Sequence, residues 1–371
     1  MWNQFKKMDH ALIVVVILLA AFGVVMVYSA SFVKGYMEFG DAQFFFKRQL
    51  FSLVIGISVM ALASYLPYRW YGKWITMMVV VSLVLLVAVL TVGVERNHSQ
   101  RWLHIGPVLL QPTEMIKLVM LLYFAYFYSK RQRVIHHFRE GVAPPLILLA
   151  VVFLLVLQQP DLGTASAIAI PCGFIVWSAG VKGKHLFILG SIAGSAVVYF
   201  ALTASYRLDR ILSFRDPLAD PNGEGYQLIG SYKAIASGGW TGRGLGNSVE
   251  KMGYLPEAHT DFIMSIVLEE LGLIGLLIIL GGYVTILYRG VRIAVQTKDT
   301  FGKLLAVGLT FQIGLQAVFN LGAVSGLLPI TGITLPFISY GGSSLIVLLL
   351  SAGILVNIST YRRISVRKKY A

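Results

Sequence analysis

Five groups of ionisable residues lie in or beside strongly apolar runs of this sequence. A charge there costs several kcal/mol unless it pairs or faces a wet cavity. Lys47 and Arg48 open one run, and Glu114 and Lys117 sit three apart on one helical face. Asp161 lies in Gln158-Gln159-Pro160-Asp161-Leu162-Gly163-Thr164. Asp261 opens a later run, with Glu269 and Glu270 about two turns deeper. A carboxylate at a polar lip can take a proton as general base, and cations nearby can hold a departing anion. Each group also has a plainer role. Lys47 and Arg48 can snorkel to head groups, Glu114 and Lys117 can form a structural pair, and Asp161 and Asp261 can cap helices. Glu269 and Glu270 can orient neighbouring helices.

Other chemistries find less support. Gly242-Arg243-Gly244-Leu245-Gly246 lacks both the dinucleotide spacing and the Gly-Lys-Ser/Thr of a phosphate loop. Those glycines read as turns or close backbone approach. His98, His104 and His259 have no zinc spacing. No local Ser-His-Asp or Cys-His set is present, and the lone Cys172 can form no internal disulfide.

The elements that position these groups must be membrane helices. Of 371 residues, 57% are hydrophobic and only 13% are charged, against about 25% charged in soluble domains. Mean hydropathy is +0.74, which excludes both disorder and an ordinary soluble fold. Ten apolar runs are long enough to cross a bilayer as helices: 11–33, 45–66, 72–93, 111–129, 143–159, 163–180, 185–203, 261–288, 302–327 and 336–358. The first follows Lys6 and Lys7, is too long for a signal-peptide core, and is expected to be a retained anchor.

With both termini cytoplasmic, the inner segments hold 19 of 31 Lys and Arg but only Asp9, Glu140 and Asp299 among the acids. The net charge of +14 therefore reads as membrane topology and contact with anionic lipid. Nucleic-acid binding is a poor reading, because the basic residues are spread over separate short loops. The expected fold is an all-α polytopic membrane protein, a single domain over 1–371. A large extracytoplasmic loop, 204–260, joins helices seven and eight. Its six aromatic residues disfavour disorder, and it is expected to pack over the outer mouth of the bundle.

Several motifs resemble those of the SEDS family, which comprises FtsW, RodA and SpoVE. They are Tyr254-Leu255-Pro256-Glu257-Ala258-His259-Thr260-Asp261-Phe262-Ile263 with Glu269-Glu270-Leu271-Gly272, and the stretch from Pro329-Ile330-Thr331-Gly332 through Leu335-Pro336-Phe337-Ile338-Ser339-Tyr340-Gly341-Gly342-Ser343-Ser344. Gln111-Pro112-Thr113-Glu114 with Lys117, Gln159-Pro160-Asp161-Leu162-Gly163-Thr164, and Tyr206-Arg207 with Arg210 and Asp216-Pro217 add to them. The resemblance covers nearly the whole chain. The His-Thr-Asp-Phe-Ile-Met wording and short tails look closest to the division member, with the sporulation member next and the elongation member further off.

The resemblance implies a peptidoglycan glycosyltransferase that polymerises lipid II at the outer face of the bacterial cytoplasmic membrane. It implies a class B penicillin-binding protein as transpeptidase partner, alongside other membrane proteins of the division machinery. Asp261 is then the essential acid. Lys117 and Arg210, followed by Arg207, Lys47, Arg48 and Lys233, are candidate cations for the leaving pyrophosphate. Trp102 is a candidate for lining the sugar path, or an interfacial anchor. Gln111, Glu114, Asp161, Glu257, His259, Ser343 and Ser344 complete the candidate substrate site. Mg²⁺ or another divalent cation is carried over from the family, with no ligands named by this sequence. A lipid II flippase and a non-catalytic scaffold are the rival classes, and glycan product from purified protein separates them.

Overall fold

The computed structural model describes residues 2–96, 99–105, 108–203, 213–221, 223 and 225–367. A helix stands at each of the ten expected runs. They are α1 (His10–Phe39), α2 (Phe44–Tyr65), α3 (Arg69–Val92), α4 (Pro112–Lys130), α5 (Ala143–Leu157), α6 (Leu162–Ser178), α7 (Gly183–Thr203), α9 (Ile263–Gln296), α10 (Thr300–Val324) and α11 (Gly342–Arg367). Another helix, α8 (Tyr226–Gly238), lies within the 204–260 segment. Among the described residues, seven helical stretches are long and apolar enough to cross a membrane, so the chain is a multi-pass membrane protein.

Burial orders the bundle. In the most apolar stretch of α11, 72% of residues are buried, against 22% in α3. Helix α10 packs against α9, α6 and α4, while α11 packs against α2, and α1 contacts both α2 and α9. Small residues allow the close approaches: a Cβ on Gly308 of α10 would meet Ile175 of α6 at 2.6 Å and Leu121 of α4 at 3.2 Å.

Three features differ from the expected plan. The chain is not purely helical: β1 (Val94–Arg96), β2 (Ser99–Ile105) and β3 (Val108–Leu110) form an antiparallel sheet in the order β1-β2-β3. Val94 pairs with Trp102, and Leu103 with Leu110. The strand period of two buries Leu103 and exposes His104. Second, the last long helix starts at Gly342 rather than 336, because Pro336 and a left-handed Phe337 (φ 67°) hold residues 329–341 in a non-helical strap. Third, α9 runs on to Gln296 but is broken at Gly272 (φ 61°, ψ −152°).

The helix ends away from Asp261 are tied by side chains. Asp9 caps α1, receives the Leu12 amide at 3.2 Å and lies 3.6 Å from Arg289. Asp299 caps α10 and accepts the Tyr68 hydroxyl at 2.8 Å, and Asn357 of α11 bonds the backbone of Ser64 and Tyr68. These contacts fix helix depth, so the opposite ends meet in register.

Candidate active site

Asp261 lies in a tight turn over 257–262, one residue before the N-cap of α9, which is Phe262. Asp261 is therefore not the helix cap. The amides of Thr260 and Phe262 both donate to the Glu257 carbonyl, at 3.1 and 3.3 Å. The Thr260 hydroxyl donates to Glu257 Oε2 at 2.8 Å, and Lys34 Nζ from α1 lies 3.5 Å from Oε1. Glu257 itself is left-handed, with φ 53°.

The 329–341 strap holds this turn from the other side. Ser339 Oγ donates to the Thr260 carbonyl at 2.6 Å, and the Tyr340 amide to the His259 carbonyl at 2.9 Å. Asn320 of α10 donates Nδ2 to the carbonyls of Asp261 and Ile333, at 2.7 and 2.9 Å. Gln49 of α2 accepts the Gly341 amide and donates to the Ser339 carbonyl. The His259 ring packs on Phe45 and Tyr340, with centroids 4.6 and 5.5 Å away. Burial, aided by Lys34 and opposed by Glu257, depresses the His259 pKa to about 4, so the ring is neutral at pH 7.

The same strap links two acids. Gly332 is exposed, has φ 68°, and an added Cβ would lie 3.7 Å from Asp261 Oδ2. The preceding carbonyl, that of Thr331, would lie 2.5 Å from a Cβ on Gly163. Thr331 and Gly332 thus touch the Asp161 and Asp261 turns in succession. Asp161 does cap its helix: Oδ1 accepts the Thr164 amide at 2.9 Å and Oδ2 the Thr164 hydroxyl at 2.8 Å. Arg101 of β2 stands 3.2 Å from Asp161 Oδ2 and donates to the carbonyls of Gln159 and Pro160. Gln159 is 1% exposed, and its side-chain amide has no hydrogen-bond partner among the described residues. On α4, Glu114 and Lys117 are both buried and pair at 2.7 Å.

A further acidic cluster sits where α9 breaks. Glu270 pairs with the fully buried Lys251 and accepts Ser29 Oγ at 2.7 Å, while Glu269 accepts the Val249 amide at 2.8 Å and Ser248 Oγ at 2.5 Å. The amides of Arg243 and Gly244 donate to the carbonyls of Glu269 and Glu270, at 2.9 and 3.0 Å. Gly242 permits this approach, since a Cβ there would meet the Glu270 carbonyl oxygen. The glycine-rich segment is a docking strand against the broken helix. Close by, burial and Glu269 push the Glu250 carboxyl up, with Lys233 pulling the other way.

The remaining candidates are spread more widely. Lys47 is exposed and paired with Asp41 at 2.8 Å, and Arg48 stacks over the Phe44 ring at 4.2 Å. Lys233 is exposed on α8, and Trp102 is half-buried in β2. Gln111 precedes α4 as its N-cap without a side-chain bond to the helix. Ser343 donates to the Leu109 carbonyl at 3.1 Å, joining β3 to α11, and Ser344 is buried one residue on. Arg207 and Arg210 lie outside the described residues. Lys34, Gln49, Arg101, Lys251 and Asn320 escaped the sequence reading. Lys34 and Lys251 were legible only as loop or helix-end charges, and Gln49 and Asn320 as amides in apolar runs. Among the described residues, no three His, Cys, Asp or Glu side chains converge to hold a metal.

Comparison with known proteins places these features in context. The FtsW/RodA/SpoVE family model, described as a cell cycle protein, matches residues 9–364. A probable peptidoglycan glycosyltransferase FtsW of Bacillus subtilis is 44% identical, over 99% of this chain and 94% of the relative. Stage V sporulation protein E of the same organism is 43% identical, over 96% and 98%. A solved peptidoglycan synthase complex contains a chain superposing with TM-score 0.79 at 31% identity, over 96% of this chain and 98% of that one. The rod-shape-determining protein RodA of Thermus thermophilus superposes with TM-score 0.71 at 28% identity, over 96% and 97%.

Proposed function

This chain belongs to the FtsW/RodA/SpoVE family of cell cycle proteins, and we propose that it is a peptidoglycan glycosyltransferase polymerising lipid II into β-1,4 glycan strands. The observation that carries the reading is the placement of Asp261. Its turn is held by α1, α10 and the strap, and its carboxylate borders the exposed, side-chain-free Gly332. A sugar hydroxyl can approach such a carboxylate without meeting a side chain at residue 332.

In this mechanism Asp261 takes the proton of the acceptor N-acetylglucosamine 4-hydroxyl. The freed oxygen attacks the anomeric carbon of the donor N-acetylmuramic acid. The bond from that carbon to the undecaprenyl pyrophosphate breaks, and the pyrophosphate leaves with its electron pair. An α-linked donor gives a β-linked product, so one displacement with inversion suffices. Lys117, presented by buried Glu114, and Arg101, braced on Asp161, are basic groups on elements that surround this end of the bundle. Arg207 and Arg210 join them as candidates for holding pyrophosphate charge.

A divalent cation would supply charge neutralisation at the pyrophosphate. The described residues offer no protein cage for one, and Mg²⁺ commonly takes one or two carboxylates plus substrate phosphates. Asp261 with the lipid pyrophosphate would make such a set.

In this reading the ten helices all span the cytoplasmic membrane, both termini are cytoplasmic, and the Asp261 end faces outward. A class B penicillin-binding protein and other division-machinery membrane proteins are its partners, and septal wall synthesis is its role. The test is polymerisation of labelled lipid II by the purified, reconstituted chain, alone and with candidate partners. Wild type makes glycan strands, Asp261→Asn folds but makes none, and Lys117→Ala is slowed. Normal strand synthesis by Asp261→Asn removes the base assignment. Lipid translocation without glycan product removes the enzyme.

A further inference from the structure

Lys34 belongs to none of the motifs that mark this site, yet it reaches the turn that carries Asp261. The key is Glu257. Its backbone is left-handed at φ 53°, a region that strains a residue with a side chain. Its surroundings must therefore hold it there. Thr260 and Phe262 bond its carbonyl, the Thr260 hydroxyl bonds Oε2, and Lys34 Nζ faces Oε1 at 3.5 Å. Of these partners, only Lys34 comes from outside the turn. It rises from α1, so the contact spans 223 residues of sequence.

Electrostatics agree with the geometry. Burial raises the Glu257 pKa, but Lys34, the Thr260 hydroxyl and His259 outweigh it and hold the carboxyl below its usual range. The groups facing Glu257 are thus the charged Lys34 from α1 and, within its own segment, the titratable His259, which is neutral at pH 7. The Lys34 and Glu257 side chains are 36% and 29% exposed. A pair this open contributes little to global stability. Its value lies instead in where it holds the turn, because small misplacement of a catalytic group is costly in rate.

We propose that Lys34 is a positioning residue for the transferase reaction: it fixes the Glu257 carboxylate and, through the 257–262 turn, the placement of Asp261. This rests on the reading of Asp261 as the general base. Lys34 need not touch substrate.

The test uses the full-length purified chain in lipid nanodiscs, with a lipid II concentration series and thermal unfolding of each variant. Lys34→Ala is expected to lower kcat by about tenfold or more, with KM within about twofold and Tm unchanged. Lys34→Arg restores most of the rate. The exchange Lys34→Glu with Glu257→Lys exceeds Lys34→Glu alone. Wild-type turnover by Lys34→Ala overturns the proposal. So does a rise in KM at constant kcat, which marks a direct substrate ligand, or a folded Lys34→Arg as slow as Lys34→Ala. Should Lys34→Ala not be recovered folded, the exchange decides: gain supports the proposal and no gain overturns it. Asp261→Asn in the same assay keeps the two readings apart. If Asp261→Asn is inactive and Lys34→Ala is normal, only the Lys34 role falls. If Asp261→Asn is active, both fall.

Discussion

Two polar clusters flank the start of α9, and they differ in how completely their groups are paired. In the first, Glu269 and Glu270 are buried at the helix break, and each carboxylate is paired with residues of the 248–251 segment, with Ser29 adding a bond to Glu270. In the second, around Asp161 and Asp261, the Gln159 amide, the Thr331 hydroxyl, the Asn320 Oδ1 and the His259 Nδ1 are buried without a partner among the described residues. Buried polar groups in proteins are nearly always paired, with protein or with water. A closed set of bonds makes a scaffold, and the first cluster clamps the long segment onto the broken helix. Unmet donors and acceptors suit water and a polar substrate. The difference separates two sets of acids that look alike in sequence.

The comparison can be broken most sharply at Lys251. Replacing it by Ala strands the buried Glu270 charge, with an expected loss of about 3–5 kcal/mol in thermal unfolding. Lys251→Met combined with Glu270→Leu should recover most of it, since an apolar pair of similar size can replace a buried ion pair. An unchanged Tm for Lys251→Ala would mean that the first cluster is no clamp. Gly272→Ala comes next. Its φ of 61° and a Cβ 2.6 Å from the Trp240 carbonyl oxygen should cost roughly 1–3 kcal/mol. A smaller cost would show that the docking strand is loosely held.

Asp161→Ala removes a helix cap and the Arg101 partner, with an expected loss of about 1 kcal/mol. A loss as large as that at Lys251 would erase the contrast between the clusters. Acidification should produce a gentler effect. The unfolded His259 takes a proton as pH falls through about 6.5, while the folded one resists until about 4. Stability therefore declines across that window, and the His259 contribution levels off below it. The Glu257 contribution, present above its ordinary 4.5, is lost as pH falls through its lower folded value. His259→Gln should flatten the slope of Tm against pH between 6.5 and 4. The smallest effect belongs to Lys47→Ala, whose exposed pair with Asp41 should leave Tm unchanged.

Much of the architecture could be read from composition and charge placement. Runs long enough to span lipid must be helical, and a helix stands at each of them. The small sheet escaped, because its strands are short and their pairing depends on contacts made only in the folded chain. Within the site, the Asp161 cap and the Glu114–Lys117 pair were legible, since three-residue spacing fixes both locally. The cap reading of Asp261 was not met, because Phe262 takes the N-cap position. Gly242, Gly244 and Gly246 could be read as turns or close approach, but not which backbone they approach.

Residue types and short spacing determined that this chain fills a membrane with helices, gathers charge in a few places and carries an acid, Asp261, just before its eighth long apolar helix, α9, begins. Only the tertiary structure decided which acids are clamped and which are left with unmet neighbours. Lys34 reaches Glu257 across 223 residues, Gln49 reaches Ser339 across 290, and Ser29 reaches Glu270 across 241. Local spacing carries no record of such contacts. They arise when helix packing sets the depth of each element, and depth decides which side chains meet.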